Sequence, residues 1–131
     1  MFTSRETQEE TNVIVPLGLS HLKSLVQSAR ILVIKFHAEW CGPCKVTAPY
    51  YVNMANDLTS STIRFVSIDI DKDHGNGGTW GEAFQINGVP CYKFYFDGEI
   101  RNDLTQMGAD LKPVVSIVSQ QNRIIANTTA V

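Results

Sequence analysis

One hundred and thirty-one residues, 44% hydrophobic and 18% charged with a formal net charge of −2, describe one ordinary domain with a single core. Eleven Lys plus Arg against 13 Asp plus Glu leave no electrostatic footprint for nucleic acid or anionic lipid. No apolar stretch approaches the roughly 20 residues of a membrane span, so neither nucleic acid nor membrane is expected as a partner. A chain of this length buries enough surface to stand without disulfide staples, which leaves its three cysteines free for chemistry.

Residues 1–12 are polar and acidic, lack the basic start and apolar run of a secretory signal, and are expected to form a flexible tail. An odd cysteine count that includes one C-x-x-C suits redox or metal chemistry in a reducing compartment, so the chain is expected to be cytoplasmic. Residues 13–15 predict a short strand ahead of Pro16. Leu22, Leu25, Val26 and Ala29 then recur at helical spacing and predict a helix over 20–29 with Ser20 as its N-cap. The next segment, 31–37, is apolar on both alternating faces through Phe36 except at Lys35, the pattern of a central strand covered on both sides.

A long helix is predicted from Cys41 to about Ser60, with Val46, Tyr50, Met54 and Leu58 recurring four residues apart on one face and a kink at Pro49. Residues 63–70 read as a second strand, 71–81 as a polar, glycine-rich connection, and 79–84 as a short helix. A third strand over 92–96 meets Asp97-Gly98, a hairpin signal that pairs it antiparallel with the strand starting at Glu99. The last helix is predicted to start near Asp110, its capping residue, and to send Val114, Val115, Ile117 and Val118 toward the core. Strands alternating with helices, with one late hairpin, give an α/β fold around a mixed sheet of four to five strands.

The chemistry concentrates in Trp40-Cys41-Gly42-Pro43-Cys44-Lys45, where a central strand runs into a helix N-terminus. Free amides and the helix dipole there stabilise a thiolate, the form of cysteine that attacks a disulfide. Cys41 is expected as the exposed nucleophile. Cys44, one turn on, is expected to attack the mixed disulfide that Cys41 forms. Gly42 and Pro43 leave the approach open and restrict the turn.

With this motif, Pro49 beyond it, the pair Val89-Pro90, the Asp97-Gly98 turn and Gly108-Ala109 before the last helix, residues 13–122 resemble thioredoxin. Residues 123–131 are left as a C-terminal extension. The resemblance implies a thioredoxin fold with Pro90 in a cis peptide beside the dithiol, and an apolar docking surface formed by Trp40, Pro43, Val89, Pro90, Gly108 and Ala109. It also implies a thiol-disulfide oxidoreductase, a protein-disulfide reductase that acts on disulfide-containing proteins as a monomer. An external reductant such as a thioredoxin reductase would recharge it, with no bound cofactor.

Two residues depart from the family's pattern. Lys35 stands where thioredoxins usually carry a buried aspartate, and alternation puts His37 on the same face, so both are candidates for tuning the dithiol. A buried lysine either accepts a proton as a neutral amine or, when charged, favours thiolates. The plainer alternative extends its ammonium to solvent or to Glu39 while His37 only packs. Cys91 replaces the threonine common after the cis-proline. It is either a small hydrophobe or a third thiol near Cys41. A metal would draw on Cys41, Cys44 and Cys91 with His37 or His74, but one cysteine pair falls short of the usual four ligands and no metal is expected. These departures and the loop over 71–81 motivate the alternative function, a non-catalytic thioredoxin-like module that binds a protein partner.

Overall fold

The computed structural model describes residues 11–129. Most of the tail expected over 1–12 lies outside the described residues, as do residues 130 and 131.

Among these residues six strands form one mixed sheet: β1 (Val13–Ile14), β2 (Ile31–His37), β3 (Ile63–Asp69), β4 (Cys91–Phe96), β5 (Glu99–Ile100) and β6 (Gln106–Met107). Among the described residues four helices flank it, α1 (Leu19–Ser28), α2 (Gly42–Leu58), α3 (Trp80–Phe84) and α4 (Lys112–Thr129). The strand order is β1-β3-β2-β4-β5, with β6 also on β4. β2 is central, parallel to β3 in the register Lys35↔Ser67 and antiparallel to β4 in the register Lys35↔Tyr92. The sixth strand exceeds the four to five expected. β5 pairs with Tyr95–Phe96 and β6 with Cys91–Tyr92, so the two are one edge strand interrupted by the 3-10 turn Asn102–Leu104. Segments of two residues leave no alternation in a sequence, which is why β6 was not predicted.

The alternation of β2 builds two cores. Ile31 and Val33 pack with Tyr51, Met54 and Ala55 of α2 and with Val114, Val118 and Ile125 of α4. Leu32, Ile34 and Phe36 face the opposite side, against Leu22 and Val26 of α1 and against Trp80 of α3. The Asp97-Gly98 turn forms as expected, with both residues at positive φ, 51° and 85°.

Three local expectations change. Gly18, not Ser20, is the N-cap of α1, which starts at Leu19. α2 runs through Pro49, and its face of apolar residues spaced by four is not buried as a unit: Cys44, Thr47, Tyr51, Met54 and Ala55 are buried, while Val46 and Tyr50 are exposed. On α4, Val114 and Val118 are buried and Ile117 packs beside them, but Val115 faces outward. Asp110 Oδ1 accepts from Lys112 N at 3.0 Å at the start of that helix. α4 continues past residue 122 through Thr129 and carries Ile125 into the core. Among the described residues no helix is long and apolar enough to cross a membrane.

Candidate active site

β2 ends at His37, and a tight turn in which Cys41 N donates to Ala38 O (3.1 Å) delivers the chain to the first turn of α2. Cys41 is the N-cap. Its Sγ accepts the Cys44 amide at 3.1 Å, the kind of donor that stabilises a thiolate at this position. Cys41 and Cys44 form a disulfide, their Cα atoms 5.3 Å apart.

The expected exposure of Cys41 is not found in this disulfide-bonded state: Cys41 is 4% exposed and Cys44 3%. Ala38 packs with both, and Ile70 and Val89 close over them. What separates the two cysteines is their surroundings, a helix N-terminus for Cys41 and a buried amine for Cys44. Gly42 and Pro43 are exposed in the first turn, and a Cβ at Gly42 would meet no atom within 4 Å, so the surface beside the dithiol is open at Gly42.

The Val89-Pro90 peptide is cis. Val89 touches the dithiol cluster, and Pro90 O accepts from Gly108 N at 3.0 Å, tying the segment before α4 to the cis-proline. Gly108 has φ +98°, a backbone conformation that disfavours any side chain there. Ala109 is exposed and lines an apolar groove with Tyr50, Met54, Leu111 and Val115. Trp40 is 69% exposed, its indole N–H donating to Asp71 Oδ2 at 2.8 Å. Nothing in the sequence marked Asp71, which lies in a polar connection without periodicity.

Lys35 lies beneath Cys44. It is 3% exposed, and its Nζ donates to the Cys44 carbonyl at 3.1 Å instead of extending to solvent. The ammonium is 5.6 Å from the centre of the Tyr51 ring, and no carboxylate lies within salt-bridge distance of it among the described residues. Burial pulls the Lys35 pKa down to about 8. His37 also falls below its ordinary value, chiefly through burial, with Asp69 opposing and Lys35 reinforcing the shift. Both side chains border a cavity of about 210 Å³ that they share with Glu39, Cys44 and Ser67.

Three further polar residues surround Lys35, none of them singled out from the sequence. Thr47 Oγ1 donates to the same Cys44 carbonyl at 3.0 Å. Tyr51 donates to Val66 O at 2.8 Å, and burial raises its pKa. Tyr92 is fully buried beside Thr47, its hydroxyl makes no hydrogen bond of good geometry, and burial raises its pKa. The available signal was spacing: Thr47 and Tyr51 lie three and seven residues after Cys44, and Tyr92 is the register partner of Lys35.

Cys91 is the free cysteine. It packs with Leu32, Ile34, Phe36 and Trp80 on the other side of the sheet from Lys35, and burial raises its thiol pKa. That is the environment of a small hydrophobe. Among the described residues no three His, Cys, Asp or Glu side chains converge as a metal-holding group.

The family model described as Thioredoxin matches residues 13–119. Thioredoxin-3 of Dictyostelium discoideum is 39% identical over 88 residues, 67% of this chain and 78% of the relative. A thioredoxin of Coprinus comatus is 28% identical over 103 residues, 79% of this chain and 92% of the relative. Among solved structures, Malassezia sympodialis thioredoxin superposes with a TM-score of 0.69 at 24% identity, covering 83% of this chain and 92% of its own. Plasmodium falciparum thioredoxin gives a TM-score of 0.69 at 24% identity, covering 82% and 98%. These structural likenesses extend the agreement to the fold. The family match, the relatives and the Cys41–Cys44 pair at a strand-to-helix junction agree: this chain belongs to the thioredoxin family and is a thiol-disulfide oxidoreductase.

Proposed function

We propose that the chain reduces disulfides in proteins, Cys41 attacking and Cys44 resolving. The observation that carries this reading is the Cys41–Cys44 pair capping α2 beside the cis Val89-Pro90 peptide. Opening the pair leaves the Cys41 sulfur on the Cys44 amide and at the positive end of a 17-residue helix, which favours a thiolate there. An extended segment of the substrate docks over Trp40, Pro43, Val89 and Pro90, with Gly108 and Ala109 at the margin. The bare Gly42 lets its disulfide approach.

The oxidised pair is returned to the dithiol by an external reductant such as a thioredoxin reductase, and no bound cofactor takes part. The protein works as a monomer in the cytoplasm, where a reducing environment suits a working dithiol together with the unpaired Cys91. A binding role without turnover is the less favoured reading, since a disulfide-forming pair is retained at the strand-to-helix junction.

The test is reduction of insulin by dithiothreitol with catalytic amounts of the protein. Cys41→Ser abolishes the acceleration, and Cys44→Ser traps mixed disulfides with insulin chains, visible on non-reducing gels. Undiminished acceleration by Cys41→Ser would overturn the proposal.

A further inference from the structure

Exchange through Cys41 and Cys44 leaves Lys35 without a role, although its placement is costly and specific. A lysine 3% exposed with no carboxylate partner among the described residues is unfavourable as an ammonium, yet its Nζ is held 3.1 Å from the carbonyl of the resolving cysteine. The two residues also line one cavity of about 210 Å³, large enough for bridging water. Other groups face Lys35 from every side: His37 on its own strand, Ser67 and Asp69 from β3, Tyr92 from β4, Thr47, Tyr51 and Lys45 from α2, and Glu39 from the turn. Glu39 and Asp69 are the acids of this set, and neither forms an ion pair with Lys35 among the described residues.

We propose that Lys35 and Cys44 share one proton in the reduced protein, the Lys35 amine taking the Cys44 thiol proton as Cys44 becomes the resolving thiolate. This rests on the exchange reaction proposed above. In the first step the Cys41 thiolate forms a bond to one sulfur of the substrate disulfide, the substrate S–S bond breaks, and one substrate thiolate leaves and is protonated by solvent. In the second, the Cys44 proton passes to Lys35 directly or through cavity water, and Cys44 Sγ bonds to Cys41 Sγ. The mixed disulfide then breaks, and the second substrate thiolate leaves and is protonated as Lys35 returns its proton to solvent. Two electrons have moved from the dithiol to the substrate. Burial holds the Lys35 pKa near 8, so the neutral amine is accessible at neutral pH.

Rapid mixing of the reduced protein with 5,5′-dithiobis(2-nitrobenzoate) separates the two steps, because Cys41 attack releases one nitrothiobenzoate and Cys44 attack on the adduct releases another. The buried Cys91 adds at most a slower third release. In Lys35→Met and Lys35→Gln the first release is expected to stay within about twofold of wild type. The second slows by about tenfold or more at pH 7, and its rise with pH shifts to more alkaline values. Lys35→Gln keeps a donor for the Cys44 carbonyl but cannot take the proton, which separates proton transfer from positioning. Lys35→Asp restores a titratable group and recovers a fast second release with its pH dependence moved to lower pH. A wild-type rate and pH profile for the second release in Lys35→Gln would overturn the proposal. Loss of the first release in the wild-type protein would instead overturn the exchange reaction on which it rests.

Discussion

A protonated amine held at 3% exposure without a carboxylate destabilises the folded chain for as long as it keeps its charge. Lys35 loses its proton near pH 8 in the fold, against about 10.4 in an unfolded chain. Between those values the unfolded chain binds the additional proton, so the Lys35 contribution to stability rises with pH across that window and is least favourable below it. The oxidised protein is the right subject, because its Cys44 does not titrate. Urea unfolding of oxidised wild type and Lys35→Met is expected to show the variant more stable by about 2–3 kcal/mol at pH 7, with the gap narrowing from pH 8 toward pH 10. A gap independent of pH would mean that Lys35 titrates alike in both states. The sequence marked Lys35 because it breaks an apolar strand. It did not reveal the company the lysine keeps, because Thr47 and Tyr51 lie on a helix face that the apolar spacing of α2 does not mark.

Apolar spacing does not mark the buried face of α2, and the reason is physical. Val46 and Tyr50 recur at helical spacing with Met54 and Leu58, yet both are exposed, Tyr50 lining the groove toward Ala109. The buried stripe instead begins with Cys44, which the motif claims for chemistry, and Thr47, which an apolar count does not score as core. Elements with strong local signals were legible: β2 is found over the predicted residues, and the Asp97-Gly98 turn forms where expected. The short α3 is legible for a different reason, since its start is set by a cap. Thr79 Oγ1 accepts the Glu82 amide at 3.2 Å and Glu82 Oε1 accepts the Thr79 amide at 3.1 Å, a reciprocal box at the end of the glycine-rich loop. A five-residue helix depends on such a cap, because it has few internal hydrogen bonds. Thr79→Ala is expected to cost about 1 kcal/mol in urea unfolding, and Thr79→Ser to recover most of it. Equal stabilities of the alanine and serine variants would show that the box does not hold α3.

Where the domain ends is a property of the whole chain, and packing decides it differently from motif. The family match stops at residue 119 and the resemblance read from sequence at 122, but α4 runs through Thr129 without a break. Its later turns are largely polar, which is why residues 123–131 read as an extension. Within them, Ile125 is buried in the cluster that joins α4 to Ile31, Tyr51 and Phe94, so the same core that seats Lys35 and the dithiol helix includes it. Ile124, next to it, is 49% exposed and serves as the internal control. Removing a buried isoleucine side chain loses its transfer free energy and leaves a cavity, so Ile125→Ala is expected to lower stability by about 2–4 kcal/mol. Ile124→Ala, which leaves no cavity, should stay within about 0.5 kcal/mol. Ending the chain after Asn122 removes Ile125 together with the last turns of α4 and should cost at least as much as Ile125→Ala. Urea midpoints of the three variants at one pH measure the order. If Ile125→Ala and Ile124→Ala unfold together, the core closes before residue 123 and the last turns of α4 are dispensable to it.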